Sequence, residues 1–391
     1  MSFQPNEGQY ELLMRMKRWY QNQYKPIYVY SGGPGTGKTT VFRYFLEGVG
    51  LSPSDIIACA YSGKAVNVMC GNGLDAQTIH SAFYRPMLYR VKDEFGDYVM
   101  ENGQYKYQLD FVLTDSIPGN TKLIVIDELS MVPDKIMEDI LSFGIPVVGM
   151  GDIDQLPPIF GSCSYMMRPD FYLTEIMRQE KDNPIIMICQ SVNAGERLKL
   201  GTYGDSRIID RIPMDYNLIS DYDIIICCRN RTRDIFNDTI RLDVLHNPRD
   251  PVIGDKIICR QNVKAICDRG RSLTNGTVGW IDNIIPGTTT SKKMQIDFTP
   301  DYDDLALFPN LDLDMGYIHM PYDERSNAGL RKYIKFEYGY TITSHLSQGS
   351  QYDRILYIDE PFGSKDLARA LRYTAISRAA KSIDIVINSK Y

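Results

Sequence analysis

The segment GGPGTGKT, from Gly32 to Thr39, has the residue types and spacing of a phosphate-binding loop. It fits Gly-x-x-x-x-Gly-Lys-Thr, and it follows a strand-like apolar run and opens a helical pattern. Glycines in such a turn let backbone N–H groups wrap a phosphate, and the helix start adds a favourable dipole. We expect Lys38 to reach the β- and γ-phosphates of a nucleoside triphosphate, and the Thr39 hydroxyl to bind Mg²⁺. The predicted nucleotide-binding residues here are Gly32, Gly33, Pro34, Gly35, Thr36, Gly37, Lys38, Thr39 and Thr40.

A second segment, LIVIDELS, supplies carboxylates where an apolar strand ends. Asp127 is expected to hold Mg²⁺ opposite Thr39. Glu128 can orient or deprotonate a water molecule, which separates hydrolysis of a nucleotide from mere binding. The pair predicts a nucleoside triphosphatase.

Composition limits the classes of protein that remain. No apolar run in the 391 residues approaches the roughly 18 residues of a membrane span, and the first residues lack the apolar stretch of a signal peptide, so a cytoplasmic protein is expected. The net charge of −6 argues against non-specific coating of nucleic acid, but it allows a local basic channel. Eight cysteines without a Cys-x-x-Cys pair predict buried free thiols.

Strand-like runs alternate with helical segments in both halves of the chain, which predicts α/β domains built on mainly parallel sheets. We expect a first domain over 1–170 that binds the nucleotide. The second domain is expected over 171–250 and 333–391, interrupted by a small β-barrel over 251–332. Alternating polar and apolar residues over 85–111, with an Asn102-Gly103 turn, predict a β-hairpin that projects from the first domain.

At this point small-molecule kinases, switch GTPases and motor proteins all remain open. A GTPase is expected to carry a base-reading Asn-Lys-x-Asp segment, and none is evident. A small kinase does not need the long second α/β half. The ordered series of the remaining short motifs decides among these classes.

Those motifs are NEGQYELL, AYSGKAV, AQTIHS, FYLTEIMRQ, GYTITSHLSQGSQYDRILYI and YTAISRAAKS, in this order along nearly the whole chain. With the P-loop they resemble superfamily 1 helicases of the RecD/Dda branch, and phage Dda-like members are the most similar in size and layout. The resemblance implies two RecA-like parallel-sheet domains in tandem. It also implies ATP and Mg²⁺ as cofactors, 5′ to 3′ movement on single-stranded DNA, unwinding at single-strand/duplex junctions without sequence preference, and action as a monomer, with replication or recombination proteins as possible partners.

The resemblance assigns further residues to the nucleotide. Gln9 is implied to read the adenine edge, and Gln348 with Gly349 to face the nucleotide from the second domain. Arg178 and Arg378 are implied to reach the γ-phosphate across the cleft. A guanidinium from another domain stabilises developing charge only when the cleft closes.

The resemblance also assigns contacts with single-stranded DNA. The implied residues are Ser62, Gly63, Lys64, Thr78, His80, Thr343, His345 and Ser347. Ser62 stands where the family usually has threonine, and Val66 where it has alanine. Leu346 stands where lysine is usual, which removes a charged contact from that motif.

The predicted hairpin occupies the place of the strand-splitting wedge in this family. Phe95, Tyr98 and Tyr105 near its tip are the candidates to stack at the duplex junction. The alternative is that these rings only pack the hairpin on its own domain.

Gln155, in GDIDQLPPIF, follows another strand and precedes two prolines that stiffen its turn. An amide can accept a hydrogen bond from the attacking water and donate one to a phosphate oxygen. The resemblance assigns this motif the role of sensing the γ-phosphate and linking it to the DNA face. Two alternatives remain: a DNA-stimulated translocase that displaces proteins without unwinding alone, and a degenerate ATPase that only binds DNA or a partner.

Overall fold

The computed structural model describes residues 4–93, 95–101, 104–105, 107–158, 161–175, 183–212, 221–267, 272–285, 294–302, 306–325, 333–360 and 362–387. Its α-helices are α1 (Glu7–Asn22), α2 (Lys38–Val49), α3 (Gly63–Gly71), α4 (Ile79–Phe83), α5 (Asp134–Leu141), α6 (Ser164–Met167), α7 (Pro184–Asn193), α8 (Asn230–Asp238), α9 (Met315–Ile318), α10 (Tyr322–Arg325), α11 (Ser344–Ser347) and α12 (Lys365–Ile376). Short 3₁₀ turns span Pro53–Asp55 and Leu129–Met131, and a π-helical segment spans Thr239–Val244.

The strands of the first half are β1 (Ile27–Gly32), β2 (Ile56–Ala60), β3 (Ala76–Thr78), β4 (Tyr84–Arg90), β5 (Met100–Glu101), β6 (Gln104–Tyr105), β7 (Tyr107–Leu113), β8 (Leu123–Asp127), β9 (Val147–Gly151) and β10 (Phe171–Leu173). The strands of the second half are β11 (Gly201–Tyr203), β12 (Ser206–Ile209), β13 (Ile224–Cys227), β14 (Lys256–Cys259), β15 (Val263–Ile266), β16 (Ser272–Leu273), β17 (Val278–Ile285), β18 (Met294–Pro300), β19 (Phe308–Leu313), β20 (Phe336–Tyr338), β21 (Thr341–Thr343), β22 (Tyr352–Ile358) and β23 (Ala379–Val386).

The first domain contains a six-stranded parallel sheet in the order β10-β1-β9-β8-β2-β3. The four inner strands, β1, β9, β8 and β2, are almost wholly buried because helices or loops cover both faces of the sheet, as parallel sheets require. One core packs α1 and α2 against one face, and a second core lies under α4 and α5 on the other. The carboxyl ends of β1, β8 and β9 therefore meet at one edge, and the P-loop, Asp127 and the Gln155 segment begin there.

Helix α1 illustrates how the sequence specifies this packing. Asn6 caps the helix by accepting a hydrogen bond from the Gln9 backbone N–H at 2.8 Å. Leu12, Met16 and Trp19, spaced four and three residues apart, lie on one face and are fully buried against the sheet. The capping and the spacing together fix where α1 begins and which face it buries.

The second domain contains another six-stranded sheet, in the order β11-β12-β23-β22-β13-β21. Its strands are parallel except for the β11–β12 hairpin. Helices α7 and α12 pack on one face of this sheet over a shared apolar core. The prediction of two parallel-sheet α/β domains is confirmed.

Between these halves of the second domain lies a small antiparallel sheet in the order β19-β18-β17-β14-β20. A two-stranded ribbon, β15–β16, shares its apolar core. The sequence predicts a barrel here. Among the described strands the five-stranded sheet stays open, with only a single β-bridge, Leu313 to Ile334, near its edges.

Strand pairing shifts two of the predicted domain boundaries. Phe171–Leu173, expected to open the second domain, pairs with β1 and forms an edge of the first sheet. Phe336–Tyr338, expected to lie beyond the inserted barrel, pairs with β14 inside the small sheet. Both are three-residue strands, and so short a segment carries no sequence signal for the sheet that it joins.

The projecting hairpin is present where the sequence predicts it. Strands β4 and β7 pair in antiparallel register from Tyr84–Leu113 to Arg90–Tyr107. Beyond them the chain makes a turn in which the Asp93 carboxylate accepts hydrogen bonds from the Phe95 and Asp97 N–H groups, each at 2.9 Å. A second short pair, β5–β6, follows. The Asn102-Gly103 turn lies outside the described residues.

Two composition-based expectations can be compared with the structure. Seven of the eight cysteines are buried, and Cys70 is half-buried. Over the described ranges, none of the helices combines the length and apolar character that crossing a membrane demands.

Candidate active site

The P-loop connects the end of β1 to the start of α2 and folds around its own lysine. Gly35 and Gly37 have φ of 71° and 79°, a left-handed conformation that glycine adopts without steric cost. The Lys38 ammonium donates to the carbonyls of Gly32 at 2.6 Å and Gly33 at 3.2 Å. The loop thus forms a concave backbone surface at the amino end of α2, with Lys38 across it.

Gln9 lies beside this loop and is fully buried. Its Nε2 donates to the Thr36 carbonyl at 2.9 Å, and its Oε1 accepts from the Asn6 N–H at 3.2 Å. The structure therefore brings the predicted adenine reader into contact with the P-loop. Thr39 lies half-buried in the first turn of α2, and Thr40 is exposed.

Asp127 and Glu128 lie at the end of β8, next to β9. Burial, and secondarily the neighbouring Glu128 carboxylate, raise the pKa of Asp127 to about 6. Glu128 adopts φ of 49°, which is uncommon for a residue other than glycine. Such a conformation persists only where the surroundings hold it, and it is found preferentially at functional sites.

Gln155 lies in the loop that follows β9. This loop is fixed to the first domain because the Ser31 hydroxyl of β1 accepts from the Ile153 N–H at 3.0 Å. Gln155 is 7% exposed. Its buried Oε1 finds no hydrogen-bond partner within the described parts of the chain. A buried amide oxygen without a partner is costly, so this atom is available to a ligand or a water molecule in the cleft.

Arg378 of the second domain reaches this edge of the first domain. Its Nη1 lies 3.7 Å from Glu128 Oε1, and the side chain is buried. The Arg378 Nε donates to the Thr374 carbonyl at 3.2 Å, and Nη1 also to the Ser350 carbonyl at 3.4 Å. The predicted arginine and the predicted base are thus brought together across the cleft. The other predicted arginine, Arg178, lies outside the described residues.

Gln348 and Gly349 join the second domain to two segments of the first. Gln348 Nε2 donates to the Leu156 carbonyl at 3.1 Å, next to Gln155. Gly349 has φ of 73°, and a Cβ there would lie 2.8 Å from the Ser62 hydroxyl. This glycine therefore combines a left-handed backbone with a close approach between domains.

Most residues predicted to contact DNA in the first domain take part in contacts within the protein. Ser62 caps α3 by accepting from the Ala65 N–H, and a Cβ at Gly63 would lie 2.2 Å from Thr274 in the turn between β16 and β17. Lys64 donates to the Leu346 carbonyl at 3.2 Å and lies 3.4 Å from the Tyr352 hydroxyl. Burial lowers the pKa of Lys64 to about 8.

Thr78 and His80 lie at the base of the hairpin. Thr78 caps α4, and the His80 ring packs against Tyr61, Tyr84 and Phe111 with centroid distances of 5.7, 5.4 and 5.0 Å. Burial lowers the pKa of His80. The histidine ring therefore joins α4 to strand β7.

The predicted DNA contacts of the second domain lie around α11. Thr343 caps this helix by accepting from the Leu346 N–H, and burial lowers the pKa of His345. Ser347 is fully buried and donates to the Ser344 carbonyl at 2.8 Å. In this conformation the Ser347 hydroxyl is used within its own helix.

The three wedge candidates differ in their surroundings. Phe95 at the turn is 83% exposed. Tyr98 and Tyr105 pack edge-to-face at 5.8 Å, and the Arg90 guanidinium lies 4.4 Å from the Tyr105 ring centroid. Phe95 is thus the most exposed of the three rings, whereas the two tyrosines are exposed but in contact with each other.

A cavity of about 230 Å³ lies beside the P-loop, lined among others by Gly33, Pro34, Asp152 and Tyr373. Tyr373 and Asp152 were not singled out by sequence. The Tyr373 hydroxyl donates to the Asp152 carboxylate at 2.8 Å. The available signals were that Asp152 follows a strand and that Tyr373 belongs to the same motif as Arg378.

A family model described as "AAA domain" matches residues 5–213, which is more than half of the chain. The chain belongs to the AAA domain family. The matched range of this AAA domain protein contains the P-loop, Asp127, Glu128 and Gln155, so one family covers the first-domain side of the cleft.

Relatives of this AAA domain protein extend over most of its length. The ATP-dependent RecD2 DNA helicase of Deinococcus radiodurans is 24% identical over 384 residues, covering 90% of this chain and 46% of that protein. An uncharacterized protein of Methanocaldococcus jannaschii is 24% identical over 451 residues, covering 93% of this chain and 36% of that protein. The chain thus spans less than half the length of these relatives.

Solved structures share its fold. The Pif1 helicase of Candida albicans has a TM-score of 0.54 at 16% identity, covering 99% of this chain and 95% of that one. Bacteroides Pif1 in complex with ADP-AlF3 and single-stranded DNA has a TM-score of 0.54 at 17% identity, covering 98% and 92%. The AAA domain protein therefore shares the fold of these Pif1 structures. Particular closeness to phage Dda-like members stays a prediction.

Proposed function

We propose that this AAA domain protein is an ATP-dependent DNA helicase that moves 5′ to 3′ on single-stranded DNA and unwinds duplex without sequence preference. The observation that carries the proposal is the cleft, where Arg378 of the second domain lies 3.7 Å from Glu128 at the P-loop edge of the first. The names of its relatives support it: one is an ATP-dependent DNA helicase, and a structural neighbour was solved with single-stranded DNA. The direction rests on the RecD/Dda resemblance.

The residues at the P-loop edge fit ATP and Mg²⁺. Gly35 and Gly37, in left-handed conformation, open a backbone cradle, and the Lys38 ammonium donates to two loop carbonyls that a phosphate can replace. The Asp127 carboxyl is buried beside a second acid, which raises its pKa, and a divalent cation would relieve that repulsion. Thr39 and Asp127 would hold the ion. Bound Mg²⁺ would neutralise charge on the phosphate oxygens.

Hydrolysis in this proposal uses side chains from both domains. Glu128 takes a proton from the attacking water, and the Gln155 amide orients that water or a phosphate oxygen. Arg378, with Arg178 as the predicted second arginine, stabilises charge that develops on the γ-phosphate. Gln9 would read the adenine, next to its contact with Thr36. The reaction therefore requires that the cleft be closed.

Movement would follow from the same contacts. Gln348 and Gly349 connect the Gln155 loop and the Ser62 segment to the second domain, so a change at the γ-phosphate can alter how the two domains hold DNA. The proposed DNA contacts remain Ser62, Gly63, Lys64, Thr78, His80, Thr343, His345 and Ser347. Lys64 donates to the Leu346 carbonyl of the second domain, so its contact with DNA would require rearrangement of the seam between domains. The Ser347 hydroxyl donates to the Ser344 carbonyl of its own helix, and it would have to leave that bond to contact DNA. Phe95 is the proposed wedge, and we propose that the protein acts as a monomer.

The alternative motor is a translocase that displaces proteins. It would use the same cleft, but it would not unwind duplex DNA on its own. The DNA-binding module differs from both motors because it does not hydrolyse ATP.

An assay of ATP hydrolysis with and without single-stranded oligonucleotides tests the proposal. We expect Mg²⁺-dependent hydrolysis that single-stranded DNA stimulates and that Lys38→Ala abolishes. Absence of hydrolysis in the wild-type chain would overturn it, and stimulation without strand displacement would favour the translocase.

A further inference from the structure

The loop that carries Gln155 belongs to the first domain, yet the second domain supplies many of its contacts. The Leu156 N–H donates to the Thr374 hydroxyl at 3.0 Å, and Gln348 donates to the Leu156 carbonyl at 3.1 Å. Arg369 Nη1 lies 3.3 Å from Asp154 Oδ1. The conformation of this loop therefore depends on where the second domain lies.

The contact between Tyr373 and Asp152 joins two buried side chains across the cleft. The hydroxyl donates to Asp152 Oδ2 at 2.8 Å, and the two residues are 2% and 1% exposed. Burial, reinforced by the Asp152 charge, raises the pKa of Tyr373 above its usual range, so the hydroxyl remains a donor. A hydrogen bond to a buried carboxylate is among the stronger ones in proteins.

Asp152 transmits this contact to Gln155. Its Oδ1 accepts from the Asp154 N–H at 3.1 Å, and its backbone carbonyl accepts from the Gln155 N–H at 3.3 Å. Asp152 therefore forms the turn from which Gln155 projects. The Asp152 carboxylate thus accepts from Tyr373 on one oxygen and from the backbone of the turn on the other. These two hydrogen bonds together fix the direction of the turn.

Tyr373 also approaches the P-loop. A Cβ placed on Gly33 would lie 3.2 Å from the Tyr373 hydroxyl, closer than ordinary van der Waals contact. The hydroxyl thus lies between the phosphate-binding loop and the loop of Gln155, on the wall of the 230 Å³ cavity. One side chain of the second domain touches both first-domain loops.

We propose that Tyr373 is a positioning residue for hydrolysis: its hydroxyl, through Asp152, holds the Gln155 loop in its working conformation while the two domains are closed. When the domains separate, the Asp152 carboxylate loses its donor and the loop loses its anchor. The state of the cleft would then control Gln155 directly. This inference rests on the proposed ATP-driven function.

The test compares Tyr373→Phe with Tyr357→Phe. Tyr357 is a buried tyrosine of the same domain whose hydroxyl contacts Cys228 Sγ at 3.3 Å, away from the cleft, so both variants lose one buried hydroxyl. The first readout is hydrogen exchange of the peptide covering 151–158 in nucleotide-free protein. The second is kcat and KM for ATP with saturating single-stranded DNA.

In Tyr373→Phe we expect exchange of the loop to rise about tenfold and kcat to fall about tenfold, with KM little changed, because a charge-assisted hydrogen bond is lost. Tyr357→Phe should match wild type in both readouts. Loop exchange equal to that of Tyr357→Phe would overturn the inference, and so would faster exchange with unchanged kcat. A rise in KM alone would instead make Tyr373 a nucleotide contact. If the wild-type protein does not hydrolyse ATP but loop exchange still differs between the two variants, the proposed function is refuted and the loop contact is not.

Discussion

The cleft and the hairpin are both proposed to act in unwinding, yet they are built in opposite ways. In the cleft, Gln155 and Arg378 are 7% and 6% exposed and lie among contacts from both domains. On the hairpin, Phe95 is 83% exposed, and the strands that carry it pair mainly with each other. The cleft is a buried polar network, whereas the hairpin tip is a projecting apolar surface.

This difference indicates how each region responds to change. Members of a buried network depend on one another, so substitutions there are expected to be large and non-additive. An exposed ring contributes through what it touches outside the protein. Substitutions in the cleft should therefore impair ATP hydrolysis, and substitutions at the hairpin tip should impair only duplex unwinding.

The largest effect is expected for Arg378→Ala. Loss of a guanidinium at the γ-phosphate should lower kcat for ATP by about a thousandfold, with ATP binding largely retained. Arg372→Ala is the matched control, because Arg372 lies on α12, which ends two residues before Arg378, and pairs with Asp359 at 2.8 Å within the second domain. Steady-state hydrolysis and nucleotide titration measure the two quantities. Equal losses of kcat in the two variants would show that Arg378 has no specific role at the γ-phosphate.

Gln155→Ala is expected to lower strand displacement by about a hundredfold, because one preorganised donor at the reacting centre is removed. ATP affinity should change much less. Gln295→Ala, which removes an amide bonded to Asp312 in the small sheet, is the control. If unwinding and ATP binding fell equally, Gln155 would be a binding residue and the proposed relay would be wrong.

Phe95→Ala addresses the hairpin side of the comparison. We expect unwinding to fall by up to about tenfold, since one aromatic stacking contact at the junction is lost, while DNA-stimulated hydrolysis stays at the wild-type level. Leu88→Ala, another exposed apolar residue on the same hairpin, should leave both activities intact. A parallel loss of hydrolysis and unwinding would mean that the tip acts through folding of the domain.

The smallest effect concerns Lys64, whose pKa burial lowers to about 8. Unfolding returns this lysine to about 10.4, so between pH 8 and pH 10 the unfolded chain binds more protons and stability rises with pH. Relative to Lys64→Met, the wild-type protein should gain about 1 kcal/mol per pH unit across that window. Denaturant unfolding at pH 8, 9 and 10 measures the difference. A constant difference would place Lys64 in solvent and not in the seam.

The sequence predicts the local parts of this architecture well. The P-loop and the Asp127–Glu128 pair are two short segments that each follow a strand of the same sheet, so their meeting at one sheet edge follows from the parallel fold. The hairpin followed from its alternating pattern, although its Asn102-Gly103 turn is outside the described residues. Motif resemblance then identified Arg378, whose contact with Glu128 no local pattern predicts.

Contacts between domains account for what could not be predicted. Lys64 meets the Leu346 carbonyl 282 residues away, and Tyr373 meets Asp152 221 residues away. Neither pairing has a periodic or compositional signal, because each depends on how two separately folded sheets dock. The strands Phe171–Leu173 and Phe336–Tyr338, next to the predicted boundaries at 170 and 332, are a similar case, since three-residue strands are assigned to a sheet only by their partners.

Strand displacement on tailed duplexes tests the central claim most directly. Three substrates of equal duplex length are compared with ATP and Mg²⁺: a 5′ single-stranded tail, a 3′ tail and blunt ends. The account predicts unwinding of the 5′-tailed substrate and little of the other two, all of it lost in Lys38→Ala. Unwinding from the 3′ tail alone would contradict the assigned direction, and DNA-stimulated hydrolysis without displacement of any strand would contradict the helicase function itself.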